Sequence, residues 1–287
     1  MGILSRILVL AVAAVAVQLE GTAPAATGRA ARPGVLELDS HSEFSHIRVR
    51  RQGNLRTLLF VRDAGEEVVQ SIVNLKKPYE LLNSYARAMF ASYLLKPQPE
   101  RVLIVGLGGG AMVHFLEHYD PDTKVDVVEI DPAVVQIADR YFDVRSGGNI
   151  HVITGDGLRY LAETEKHYGV IYMDAFLKPS ADTDATGAPL AMKTAQFYKQ
   201  LQKRLTARGV VVFNVNPHRG MEADLRAIRG AFAQSYVFHT ADTNLIVLAT
   251  TVATREEPAA LRARAKELDR RLKATFSFQE LLRGLAR

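Results

Sequence analysis

Cysteine is absent from the 287 residues, which excludes a disulfide framework, a thiolate metal site, a cysteine nucleophile and a lipidated amino-terminal cysteine. Metal-ligand spacing is lacking as well. His114, His118, His218 and His239 fit no ligand pattern, so they are expected to be structural or exposed, and no metal is expected. The net charge of +5 and pI near 9.4 come without an arginine-aromatic recognition motif, so nothing points to nucleic acid. Apolar stretches long enough to cross a bilayer are missing too: the run at 7–17 is too short to span comfortably.

That run is nevertheless a feature. Arg6 precedes it and small residues surround Ala23-Pro24-Ala25, the pattern of an export signal or of an interfacial anchor through residues 3–19. Periplasmic or membrane-anchored location is the expectation, with the cytoplasm as the alternative. Residues 27–34, rich in Ala, Arg, Gly and Pro, read as a linker. With 48% hydrophobic residues the chain can bury the core of one α/β domain with a small appendage.

Short alternating runs such as HIRVR at 46–50 and LLFV at 58–61, separated by Gly53-Asn54 and 63–65, predict a small antiparallel sheet over 35–77. Helical spacing of Leu81, Leu82, Tyr85, Met89 and Tyr93 predicts a helix over 78–95, ended by Pro97 and Pro99. Beyond Arg101 continuous apolar strands (101–106, 124–130, 150–155, 168–174, 209–216) alternate with amphipathic segments, which implies a parallel sheet covered on both faces. The pair 236–239 and 244–248 is too closely spaced for a crossover and should be an antiparallel edge hairpin. The expected fold is α/β, a Rossmann-like domain over 78–252 with a mostly parallel seven-stranded sheet. A charged helical tail over 253–287 should present a solvated face.

Four strand ends carry the chemistry: VLIVGLGGG at 102–110, VVEID at 127–131, VITGDG at 152–157 and VIYMD at 170–174. In an open parallel sheet, polar residues at the carboxyl ends of strands face one crevice although they are far apart in sequence. Gly106, Gly108, Gly109 and Gly110 lie between a buried strand and a helix, where the backbone can approach a ligand. Glu129 follows where a carboxylate takes ribose hydroxyls. A nicotinamide enzyme would use both features; Asp156 and Asp174 at the next two strand ends favour an adenine contact and a group facing the reacting centre instead.

These residues resemble the spermidine synthase family, and within it the spermidine-synthase-like branch of methyltransferase-fold proteins. The resemblance spans roughly 44–248 and includes Val69-Gln70, the glycine loop, Val-Glu-Ile-Asp131-Pro132, a helix ending in Arg140-Tyr-Phe142, Gly-Asp156-Gly157 and Gln196-Phe-Tyr198. It implies that Glu129 holds the ribose and Asp156 the adenine, that Gln70 and Tyr79 line the pocket, and that Asp131 and Gly157 are further cofactor-binding candidates. Asp174 would face the acceptor amine, with Tyr85 and Arg87 as further acceptor-side candidates. A homodimer is implied in the same way.

Two departures from the family pattern shift the expected reaction. Gly109 stands where aminopropyltransferases carry the aspartate of Gly-Gly-Gly-Asp-Gly, and 174–177 reads Asp-Ala-Phe-Leu where they carry Asp-Ser-Ser-Asp. Each loss removes a negative charge suited to decarboxylated S-adenosylmethionine and a diamine. Free amides at the helix start would instead favour the carboxylate of intact S-adenosylmethionine. The expected activity is therefore alkyl transfer, methyl in preference to aminopropyl, from S-adenosylmethionine or its decarboxylated form to an amine or polyamine-like acceptor. An aminopropyltransferase with a relaxed site is the first alternative. A non-catalytic nucleoside-binding protein is the second, since an exported chain has no obvious supply of the nucleoside.

Overall fold

The computed structural model describes residues 34–286; the signal-like segment, most of the linker and the proposed anchor at 3–19 lie outside them. No described helix is long and apolar enough to cross a membrane. The residues from Pro33 onward form one compact unit containing two sheets.

The first sheet is a four-stranded antiparallel meander of β1 (Val35–His41), β2 (His46–Gln52), β3 (Leu55–Val61) and β4 (Glu67–Asn74). In β2 and β4, buried residues recur at every second position (Ile47 and Val49; Ser71 and Val73), the signature of a sheet with one covered face. Next comes a short helix, α1 (Ser84–Met89), continued as a 3-10 turn over Phe90–Leu94. The helix expected over 78–95 thus starts six residues late. The Arg87 guanidinium binds the carbonyls of Leu81 and Leu82, and Asn83 stays extended, so the preceding turn closes on a side chain rather than on helix amides.

The second sheet is built from β5 (Arg101–Val105), α2 (Ala111–Tyr119), β6 (Lys124–Glu129), α3 (Pro132–Phe142), β7 (Ile150–Thr154), α4 (Gly157–Glu163) and β8 (Tyr168–Met173). It continues through α5 (Ala195–Lys203), β9 (Leu205–Val215), α6 (Met221–Ala231) and the hairpin β10 (Gln234–His239) and β11 (Leu245–Thr250). Its order is β10-β11-β9-β8-β5-β6-β7, with β10 and β11 antiparallel and the remaining pairings parallel except β11 with β9. All six residues of β8 are buried, because helices cover both faces and no position alternates toward water. The chain leaves β5 toward β6 and β7, then returns to β8 on the other side. That reversal opens a crevice at the carboxyl ends of β5 and β8.

The tail departs from expectation. Its two helices, α7 (Pro258–Leu272) and α8 (Phe278–Leu281), are charged, but Leu261, Ala265, Leu268 and Leu272 are buried at helical spacing and Phe278 is fully enclosed. Phe276 and Phe278 pack on Phe115 and Tyr93. Burying each leucine contributes about 1.5–3 kcal/mol, so this segment is a cover for the sheet rather than only a solvated face.

Candidate active site

The crevice is a cavity of about 680 Å³ bounded by the strand ends of the large sheet on one side and by β3, β4 and the β1–β2 turn on the other. Gly106 opens it. Its φ is +101°, and a Cβ there would meet the Asp174 carbonyl oxygen at 2.2 Å, so only glycine lets β5 and β8 close together at their ends.

At one end lie Glu129, Asp131 and Asp156. Glu129 is 8% exposed and accepts from the Leu107 amide at 2.8 Å and the Asp131 amide at 3.0 Å. Burial raises its proton affinity, opposed by those amides. Asp131 caps α3 by accepting from the Ala133 amide at 2.9 Å, and its second oxygen accepts from the Ser42 hydroxyl at 2.5 Å. Asp156 caps α4 through the Leu158 amide at 2.8 Å while lining the cavity. Helix capping and ligand-facing position are thus combined in the same carboxylates.

The glycine loop is arranged differently from expectation. Gly106 and Gly108 line the cavity, but Gly109 and Gly110 do not. The Gly109 amide donates to Ser71 Oγ at 2.9 Å, the Gly110 amide to the Leu107 carbonyl, and the Gly106 amide to the Val128 carbonyl. With Leu107 bound to Glu129, four loop amides are engaged, so the expected set of free amides is absent at these positions. A Cβ on Gly109 would lie 2.9 Å from the Ser71 Cβ and 3.1 Å from the Phe142 ring. No aspartate fits there without moving β4 or α3.

The other end is built around Asp174. Burial pushes its carboxyl up to about 6, with the hydrogen bond from Asn214 acting in the opposite sense. Asn214 Nδ2 donates to Asp174 Oδ1 at 2.8 Å, and Asn244 Nδ2 donates to Asn214 Oδ1 at 2.7 Å and also to Asn216. Tyr85 lines the same end; its hydroxyl donates to the Gln70 carbonyl at 3.2 Å, and burial, then the nearby Asp174, hold its phenol well above the usual range. Asp242 accepts from the Ser84 hydroxyl at 2.6 Å and the Tyr85 amide at 3.1 Å. Burial alone would raise its carboxyl, but these donors outweigh it and leave it below the usual range.

The segment after β8 covers this end. Phe176 and Leu177 line the cavity, and Lys193 anchors the segment, its ammonium 2.6 Å from Asp184 and 2.5 Å from Asp224. His218 Nε2 approaches Asp224 at 2.9 Å. Burial works against ionisation of Asp184, yet Lys193 and the Thr186 and Ala188 donors bring it down to about 2.

Of the residues singled out from sequence, Gln70, Tyr85, Gly106, Gly108, Glu129, Asp131, Asp156, Gly157 and Asp174 meet around one cavity. Tyr79 does not: it stacks on His118 with ring centroids 3.7 Å apart, beside a separate shallow groove. Arg87 is occupied with the backbone carbonyls before α1. His114 is buried against the Phe142 carbonyl, His218 is in the ion cluster and His239 is exposed.

Residues that sequence reading missed are Ser45, Ser71, Asn214, Asn244 and Asp242. The polar end of the fifth apolar strand, Asn214-Val-Asn216, was a usable signal of the same kind as the other four. Ser45, Ser71 and Asp242 had none. Ser45 is 5% exposed, lines the cavity, and its hydroxyl has no hydrogen-bond partner among the described residues. A buried orphan hydroxyl costs about 1–3 kcal/mol unless a ligand completes it. A cavity of this size, with two carboxylates at the β6 end, fits a nucleoside.

Fold and site together define a transferase with the methyltransferase-type Rossmann fold. The Spermine/spermidine synthase domain model matches residues 85–240, and the chain belongs to that family. A polyamine aminopropyltransferase of Vibrio vulnificus (strain CMCP6) is 30% identical over 70% of this chain and 66% of its own length. An eEF1A lysine and N-terminal methyltransferase of Danio rerio is 32% identical over 42% of this chain and 18% of its own length. The structure of human Methyltransferase-like protein 13 in complex with SAH superposes with a TM-score of 0.62 at 26% identity, covering 68% of this chain and 94% of that one.

Proposed function

We propose that this protein transfers a methyl group from S-adenosylmethionine to an amine. The observation that carries the reading is the filled space at Gly109: Ser71 and Phe142 leave no room for a carboxylate, so the loop presents no negative charge to grip a free aminopropyl amine. Glu129 and Asp131 would hold the nucleoside, whose sulfonium supplies an already activated alkyl group. What the chain must add is positioning in a water-poor crevice.

Asp174 suits the acceptor side. With its carboxyl at about 6, it is mostly ionised near neutrality, attracts an amine, and can accept the proton that leaves as nitrogen alkylates. Asn214 and Asn244 orient it. Phe176 and Leu177 line the wall where the family pattern has further polar residues, which favours an amine on an apolar stem over a diamine.

Aminopropyl transfer is the second reading, favoured by Asp242, an ionised carboxylate at the same end that could receive a second ammonium. Calorimetric titration separates the two. S-adenosylmethionine should bind at least as tightly as its decarboxylated form; a strong preference for the decarboxylated nucleoside, with turnover of a diamine, would establish the second reading instead. Export or anchoring through residues 3–19 remains part of the proposal, checked by the N-terminus and location of the native protein.

A further inference from the structure

We propose that the β1–β2 hairpin carries a binding site for a divalent transition-metal cation of the zinc type, formed by His41, His46 and Asp39. His41 and His46 are directly opposed partners in the antiparallel ladder and flank the turn 42–45. Their rings stack with centroids 3.8 Å apart and planes 19° from parallel. Asp39 precedes His41 by two residues and so shares its face of the sheet; its Oδ1 lies 2.5 Å from His46 Nε2.

One ligand atom from each residue lies within 4.8 Å of the other two. A tetrahedral ion with bonds of about 2.0–2.2 Å places neighbouring ligand atoms about 3.4 Å apart, so the ion would replace the direct His46–Asp39 hydrogen bond, that pair opening from 2.5 Å while the exposed His41 ring turns in. Two imidazoles and a carboxylate leave a fourth position for water, the composition of an open zinc site.

The surrounding charges fit. Arg48 Nε donates to the other oxygen of Asp39 at 2.9 Å, and Arg48 is itself held by Glu67 at 3.0 Å. The guanidinium therefore orients the carboxylate from behind, as outer partners of metal ligands do, and leaves Oδ1 facing the imidazoles. The other histidine–carboxylate cluster, Asp184, His218 and Asp224, differs in one decisive respect. The Lys193 ammonium already sits against both carboxylates, so that cluster carries its own cation.

Binding at the hairpin would clip together the two strands that carry the turn. That turn touches the nucleoside end of the cavity: Ser42 donates to Asp131, and Ser45 lines the wall. A cation here would act as a structural clip for the lip of the pocket, remote from the reacting end at Asp174.

The experiment is titration of the untagged full chain, stripped with EDTA, with zinc and with cobalt. One equivalent of zinc should bind, the melting temperature should rise by several degrees, and cobalt should produce the visible absorption of a low-symmetry nitrogen–oxygen site. His41→Ala and His46→Ala should each weaken binding at least ten-fold while melting close to wild type without metal, because neither side chain belongs to the buried core. His218→Ala should bind as wild type does. Absence of stoichiometric uptake by the wild-type chain overturns the proposal. So does uptake that survives both hairpin substitutions or disappears with His218→Ala.

Discussion

The two ends of the cavity are made by different means. At the nucleoside end the carboxylates come from the ends of β6 and β7 and are held by backbone amides, most of them close by in sequence: Asp131 by Ala133, Asp156 by Leu158, Glu129 by Asp131 and by Leu107 after β5. At the acceptor end every polar contact crosses the fold. Asp174 is tied to Asn214, Asn214 to Asn244, and Tyr85 to Asp242 and Gln70. At the first end two of the three carboxylates, Asp131 and Asp156, double as helix caps. The second depends on three strands and a covering segment arriving together, so it is the end that can be re-tailored without rebuilding the nucleoside site.

The sharpest way to break this comparison is at Asp174. Asp174→Asn keeps an oxygen for Asn214 and leaves Glu129, Asp131 and Asp156 untouched, so nucleoside affinity should change little. Turnover should fall by about 10²–10⁴-fold, the usual contribution of a positioned proton acceptor. Parallel titration and rate measurements check it. Equal losses in both would mean that the two ends are not separable.

The reverse experiment is Glu129→Ala. It removes a buried carboxylate and its amide bonds from the nucleoside end, and charge-assisted hydrogen bonds contribute about 1.5–3 kcal/mol, so affinity for the nucleoside should fall ten-fold or more. Turnover at saturating nucleoside should suffer less. An unchanged affinity in calorimetry would remove Glu129 from the site and leave it a loop-bracing residue.

The smallest effect concerns pH. Asp174 titrates at about 6 in the folded chain against about 3.9 for an unfolded aspartate, so the native state binds the extra proton between these values. Stability contributed by this group is therefore highest below about pH 4, falls as pH rises toward about 6, and stays reduced above it. Relative to wild type, Asp174→Asn should gain about 2 kcal/mol between about pH 4 and pH 7, measured by denaturant unfolding at both values. A difference that does not vary with pH would place Asp174 in a solvated setting and weaken its assignment to the acceptor end.

Legibility in the sequence follows the same division. Strands β5 to β9 and their helices are readable from apolar runs and caps because those signals are local. The four acidic or glycine-rich strand ends are readable because a parallel sheet brings them to one edge wherever they fall in the chain. The start of α1 was not, since a guanidinium from the next turn and a carboxylate from a distant hairpin hold its first residues. The buried face of α7 was obscured by the charges between its apolar positions. Tyr79 has a residue type suited to the site but lies on the wrong side of the turn.

By itself the sequence determined the class of sheet, the order of its chemistry-bearing ends and the absence of an aspartate at Gly109, all consequences of short-range pattern and of the geometry shared by parallel sheets. Tertiary structure alone decided that Ser71 and Phe142 fill the space beside Gly109 and that Asn214 and Asn244 orient Asp174. Those are contacts between segments 30 to 40 residues apart. Only closure of the fold brings them within hydrogen-bonding or van der Waals reach, where burial sets their energies.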